Sequence, residues 1–93
     1  MPIGLLTLDI HLPDSHSLKD KRQVLRSLKD RLRGKFNVAV AELDHSEILT
    51  RATIGVATLA DQPGFVEQSL QAALAESERI LGRYLVDHQI ELY

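Results

Sequence analysis

Two hydrophobic periods alternate along this chain in the order 2, 3.6, 2, 2, 3.6, 2, and that order leaves few ways to fold. Residues 3–12, IGLLTLDIHL, put Leu6, Leu8, Ile10 and Leu12 on one face and Thr7, Asp9 and His11 on the other, the alternation of a half-buried strand. Pro13 and Asp14 stop it. Ser17 then reads as an N-cap with Asp20 three residues on, followed by the helical stripe Leu18, Val24, Leu25, Leu28 and Leu32, with Gly34 as C-cap. Residues 36–43, FNVAVAEL, read as a second strand with Phe36, Val38 and Val40 inward. A turn over 44–49 leads to a third strand at 50–60, with Ala52, Ile54, Val56 and Thr58 facing the core. Asp61 and Pro63 open a second helix that buries Val66, Leu70, Ala73, Leu74, Ile80 and Leu81 and ends at Gly82. The last strand, 84–92, points Tyr84, Val86, His88, Ile90 and Leu92 one way and Asp87, Gln89 and Glu91 the other.

The order β-α-β-β-α-β, with right-handed crossovers and a short central hairpin, predicts an α+β ferredoxin-like sandwich. The expected sheet is four-stranded and antiparallel, of order 4-1-3-2, with both helices on one face. Residues 1–93 are read as a single domain, because no linker or low-complexity tract divides them. The chain has no cysteine, which removes disulfides and thiolate chemistry and permits a cytoplasmic address. No signal-peptide pattern and no apolar run of about 20 residues is present, so no membrane role is expected.

Charge is distributed unevenly. The whole chain is formally -2, yet Ser17 to Lys35 holds eight of the eleven basic residues and two of the thirteen acids. Arg22, Arg26, Lys29 and Arg33 are spaced 4, 3 and 4, so their heads form a stripe along the first helix, with Lys19 and Lys21 before it and Lys35 after. Such a stripe suits the phosphates of structured RNA. The open sheet face lacks the paired aromatics that sheet-based single-strand RNA binders stack on bases.

Two other clusters follow from the topology. His11, His16 and His45 share one edge with Asp14, Asp44 and Glu47, ligand types that suit zinc but without any tight ligand pair. On the open face Asp9 should lie near Asp87, with Arg51 near His11. Neither arrangement supplies a nucleophile with its base or a phosphate-binding glycine loop, so no catalytic residue, metal or cofactor is expected. The same face carries Ala39, Ala41, Gly55, Ala57 and Leu59 beside Leu5, a smooth surface suited to a second copy or another protein.

The segment HLPDSHSLKDKRQVLRSLKDRLRGKFNVAVAELDH closely resembles the small bacterial YlxP-like proteins, a family of unknown function. The resemblance rests on the HxPxxxSLKxKR and FNVxVAExDH runs and continues through Arg51, Ala52, Gly55 and Val56. It implies a ferredoxin-like fold and a cytoplasmic bacterial protein. In that family the genes tend to adjoin those of a translation initiation factor and a ribosome-binding maturation factor, which implies a role in ribosome assembly or translation. The family pattern has an aromatic where this chain has Ile48 and Leu49.

The expectation is therefore a non-catalytic binding module that contacts ribosomal RNA or a ribosomal subunit through the basic face of the first helix. The candidate binding residues are Lys19, Lys21, Arg22, Arg26, Lys29, Arg33, Lys35, Asp44, His45 and Arg51. The alternative is a homodimer or protein-interaction adaptor that uses the open sheet face or the second strand. A metal enzyme at His11, His16, Asp44 and His45 ranks last. Glu42 or Asp44 is expected to pair with Lys21 or Arg22 and tie the hairpin to the helix.

Overall fold

Strand β1 (Ile3–His11) buries every second side chain, Leu6, Leu8 and Ile10, and so has to sit inside a sheet with neighbours on both sides. In the computed structural model, which describes residues 2–93, it pairs antiparallel with β3 (Arg51–Leu59) and β4 (Leu85–Leu92). Strand β2 (Ala39–Asp44) pairs antiparallel with β3, and the order β2-β3-β1-β4 is the expected one read from the other edge. Helices α1 (Leu18–Lys35) and α2 (Pro63–Leu81) cover one face and leave the other open. The result is a ferredoxin-like β-α-β-β-α-β sandwich.

The core lies between the two layers. Leu25, Leu28 and Leu32 of α1 and Val66, Leu70, Ala73 and Leu74 of α2 meet the inward row of the sheet. A methyl group built on Gly4 would stand 2.6 Å from Val66 Cγ1 and 2.7 Å from Leu70 Cδ1, so α2 packs onto β1 where a side chain is missing.

Several boundaries differ from the sequence reading. Ser17 caps α1 as expected, its hydroxyl accepting from the Asp20 amide at 3.1 Å. Leu18, however, is exposed, and Lys21 occupies the inward position of the first turns. The buried row is 21, 25, 28 and 32, a continuous stripe that starts one turn after Leu18. Gly34 is not a C-cap. The helix runs through it to Lys35, and the Phe36 amide closes the last turn onto the Leu32 carbonyl.

In α2 Pro63 opens the helix, but Gln62 is the capping position and Asp61 lies outside it. Gly82 ends α2 with φ 55 and leads into a 3-10 turn, Gly82–Tyr84. Strand β2 is shorter than read: Phe36 and Val38 still pack against the core, but ladder pairing starts only at Ala39.

Two bulges reset side-chain direction. In β4 Asp87 opposes Asp9 while Leu85 opposes Ile10, so Val86 is the extra residue. Leu85 therefore packs on the core and Val86 is exposed, the reverse of strict alternation. In β2 Glu42 opposes Ile54 while Asp44 opposes Thr53, which frees Leu43 to fold over Gly55 on the open face.

Because Gly34 is helical and has open space around its Cα, Gly34→Ala should raise stability by about 0.5–1 kcal/mol. Urea unfolding checks it, and a loss would mean that the position needs a left-handed conformation.

Candidate functional site

The candidate site begins with a lysine that is not at the surface. The Lys21 side chain is 2% exposed, and its ammonium donates to the carbonyls of His45, Ser46 (3.4 Å) and Ile48 (2.8 Å). It also lies 3.1 Å from Glu42 Oε2, an oxygen sealed from solvent with no aligned donor of its own. Lys21 thus anchors the β2–β3 turn to the first turns of α1. The expected pairing of Glu42 with this region is present, and Lys21 is removed from the list of surface contacts by its burial. His45 sits at the turn with φ 66, a left-handed conformation that its short-range contacts support. Its amide donates to Asp44 Oδ1 at 2.7 Å while Lys21 holds its carbonyl.

Outward of this anchor, α1 and the free edge of β2 enclose a groove of about 380 Å³. It is lined by Arg22, Arg26, Lys29 and Arg33, with Leu25, Asp30 and Glu42. All four residues of the basic stripe therefore converge on one concave surface. From Arg22 to Arg33 it follows roughly 16 Å of helix axis. Arg33 also donates from Nη2 to the Val40 carbonyl at 2.6 Å, which caps an edge group of β2 that would otherwise be open. Lys19 shares a second, smaller recess with Arg22 and Arg26.

Three further cations, Arg31, Lys35 and Arg79, are occupied elsewhere. Glu76 is 4% exposed and receives Lys35 Nζ at 2.9 Å, Arg79 Nη2 at 2.7 and 2.8 Å, and Arg31 Nη1 at 3.4 Å. The hydrogen bonds from Lys35, then Arg79, hold its carboxyl below the ordinary value of 4.5. Lys35 therefore serves the α1–α2 contact and stands apart from the groove. Position 76 of α2 thus turns toward α1.

Asp44, His45 and Arg51 belong to a different surface. His45 Nδ1 lies 3.0 Å from Thr53 Oγ1, whose hydroxyl donates to Asp9 Oδ1 at 3.3 Å. With that proton committed, the imidazole donates from Nδ1 to Thr53. Asp9 opposes Asp87 and His11 opposes Arg51 in the ladder, as the strand ends implied. Thr53 as the bridge carried no sequence signal, since a threonine in a strand is unremarkable. Among the described residues no three His, Asp or Glu side chains come together to hold a metal. Among them, too, no helix is long and apolar enough to cross a membrane.

The layer order and strand register define a small ferredoxin-like domain. Residues 3–90 match the family described as "Protein of unknown function (DUF503)", and the chain belongs to that family. It is 33% identical over 73 residues to the uncharacterized protein YlxP of Bacillus subtilis (strain 168), covering 78% of this chain and 79% of that one. Among solved structures it is similar to the de novo designed protein Ferredog-Diesel, with a TM-score of 0.61, 12% identity, and 96% and 83% of the two chains covered. A putative antibiotic biosynthesis monooxygenase from Bordetella bronchiseptica matches with a TM-score of 0.58 at 14% identity, over 100% and 96% of the chains. A dimeric ferredoxin-like protein of unknown function from Thermobifida fusca YX matches at 0.51 and 15%, over 98% and 90%. At these identities the structural likenesses establish the fold.

Removing the Lys21 charge strands three carbonyls and the Glu42 carboxylate. Lys21→Met should cost about 3 kcal/mol in urea unfolding, and adding Glu42→Gln should return part of that loss. Glu76 gives a pH signature. Its folded-state pKa is depressed, so its stabilisation is full above the ordinary carboxyl value of 4.5 and is lost as pH falls through the folded value. Thermal unfolding between pH 6 and 3 should show a steeper acid loss for the wild type than for Glu76→Gln.

Proposed function

We propose that this protein is a non-catalytic binding module that docks structured RNA, in the first instance ribosomal RNA, in the groove between α1 and β2. One observation carries the proposal. Among the described residues, none of Arg22, Arg26, Lys29 and Arg33 forms a salt bridge, although all four line the same groove. Lys21, Arg31, Lys35 and Arg79 are by contrast matched to carboxylates. Lys19, Arg51 and Arg83 also form no salt bridge among the described residues, but they do not line this groove, so the reading rests on the convergence of four free cations on one concave surface.

Unmatched cations on a concave surface attract phosphates and release their counterions on contact. The open sheet bears Thr7, Asp9 and Gln89 where a stacking platform would need aromatics, which favours backbone recognition over base reading. The gene neighbourhood implied by the family likeness supports the ribosome as the source of that RNA.

Co-sedimentation with ribosomal subunits at low and moderate salt tests the proposal. The variant of choice is Arg22→Glu/Arg26→Glu/Lys29→Glu, because Arg33 also holds the Val40 carbonyl. Wild-type binding should fall steeply with salt, and the slope of log K against log salt should drop by roughly two to three in the variant. Unchanged affinity, or no binding at low salt, would reject it.

A further inference from the structure

Strand β4 is a bare sheet edge, and we infer that it pairs antiparallel with β4 of a second copy, centred on Ile90, to make one eight-stranded sheet. The ladder decides which backbone groups are free. Tyr93 and Ile3 exchange both of their main-chain hydrogen bonds, at 2.7 and 3.3 Å. Alternation then commits Glu91, Gln89 and Asp87 to β1 and turns the N–H and C=O groups of Leu92, Ile90 and His88 outward. Among the described residues the His88 amide alone of these outward groups has another partner, Asp87 Oδ1 at 2.8 Å. The opposite edge is guarded: Arg33 covers the Val40 carbonyl of β2 at 2.6 Å, and a bulge at Leu43 interrupts that strand.

Outward residues must face outward residues, which leaves few antiparallel registers of β4 with itself. A centre at Gln89 sets Asp87 against Glu91 of the second copy, and a centre at Glu91 sets that acid against itself. A centre at His88 carries the pairing into the Val86 bulge and the 3-10 turn. The centre at Ile90 uses only the regular stretch 87–93 and opposes Gln89 to Glu91, an amide to a carboxylate, on both sides of the axis.

The same register seats an exposed side chain. Leu92 lies on the helix side of the sheet over Gly4 and is 49% exposed. At the other end of β4 a recess of about 500 Å³ opens between the strand and the end of α2, lined by Glu78, Gly82, Leu85, Val86, Asp87 and His88. In the Ile90-centred pair Leu92 stands directly opposite His88 of the second copy, on the same face and about 5 Å away. Each copy therefore lays its Leu92 at the mouth of the other's recess. The two Ile90 side chains, each packed on its own core, meet at the axis. One two-fold thus satisfies the free backbone groups, the charges and the exposed leucine twice over, as an isologous interface requires. Its axis is perpendicular to the sheet, so both helical layers share one face and each basic groove stays at an outer edge beside β2. The inference stands whether or not those grooves bind RNA.

Sedimentation equilibrium over a range of protein concentrations, with a cysteine cross-link, is the test. Wild type should be dimeric. Gln89→Glu sets carboxylates against each other on both sides of the axis and should raise the dimer dissociation constant at least about tenfold, with a native circular dichroism spectrum. Gln89→Lys faces Glu91 and should lower it. The chain has no cysteine of its own. Gln89→Cys mixed with Glu91→Cys should therefore form an interchain disulfide on air oxidation, and Gln89→Cys alone should not, because position 89 faces 91 across the axis. A wild-type monomer at every concentration would overturn the inference. So would a dimer indifferent to the charge at position 89, or a cysteine mixture that fails to cross-link.

Discussion

One ammonium group under a turn organises the functional end of this molecule. Lys21 reaches from the first turns of α1 to three carbonyls and a carboxylate of the β2–β3 hairpin, and is almost wholly shielded from water. A buried cation is tolerated only where its donors are all used and its charge is matched. Both conditions hold only if the hairpin turn and the helix keep one relative position. The turn in turn presents His45 to the open sheet face, and Glu42 stands at the wall of the basic groove. Two surfaces on opposite sides of the sheet are thus set by the same contact.

The distribution of charge follows a similar division of labour. Acids are placed where a cation has structural work: Glu42 for Lys21, and Glu76 for Lys35, Arg79 and Arg31. The latter group sits where α1 and α2 meet, and its buried carboxylate is matched from both helices. Four of the cations left without a salt bridge, Arg22, Arg26, Lys29 and Arg33, share the groove. Its field is larger than a net charge of -2 for the whole chain would indicate, because the chain's other charges are either paired locally or lie on other faces. On the other side of the sheet the His45–Thr53–Asp9 chain runs from the β2–β3 turn across β3 to β1, beside Arg51 and Asp87.

Much of this was legible in the chain before any coordinates. Alternation in Leu6, Leu8 and Ile10 and the helical stripe Leu25, Leu28 and Leu32 define faces through fixed geometric periods, and the short hairpin leaves one sheet order. The basic stripe from Arg22 to Arg33 and the Asp9–Asp87 and His11–Arg51 neighbours follow from the same periods once the topology is known. The reversed direction of Val86 in β4 and the turn of Leu43 onto the open face share a cause. Val86 and Leu43 are bulge residues, and a bulge adds one residue against a partner strand, which no single-strand pattern reveals.

Lys21, Lys35 and Glu76 mark where reading the chain alone runs out. Their residue types belong at a surface, and the helical period even places Lys21 in the inward row, yet only the approach of a second element supplies the partners that make burial tolerable. Periodicity is a property of neighbours in the chain, so element order, faces and the charged stripe were already present in the amino-acid string. Which cations are consumed inside the fold and which stay free depends on distances between residues 20 to 45 positions apart. Those distances come into existence with the packing of the two layers, and so does the difference between a structural lysine and a binding one.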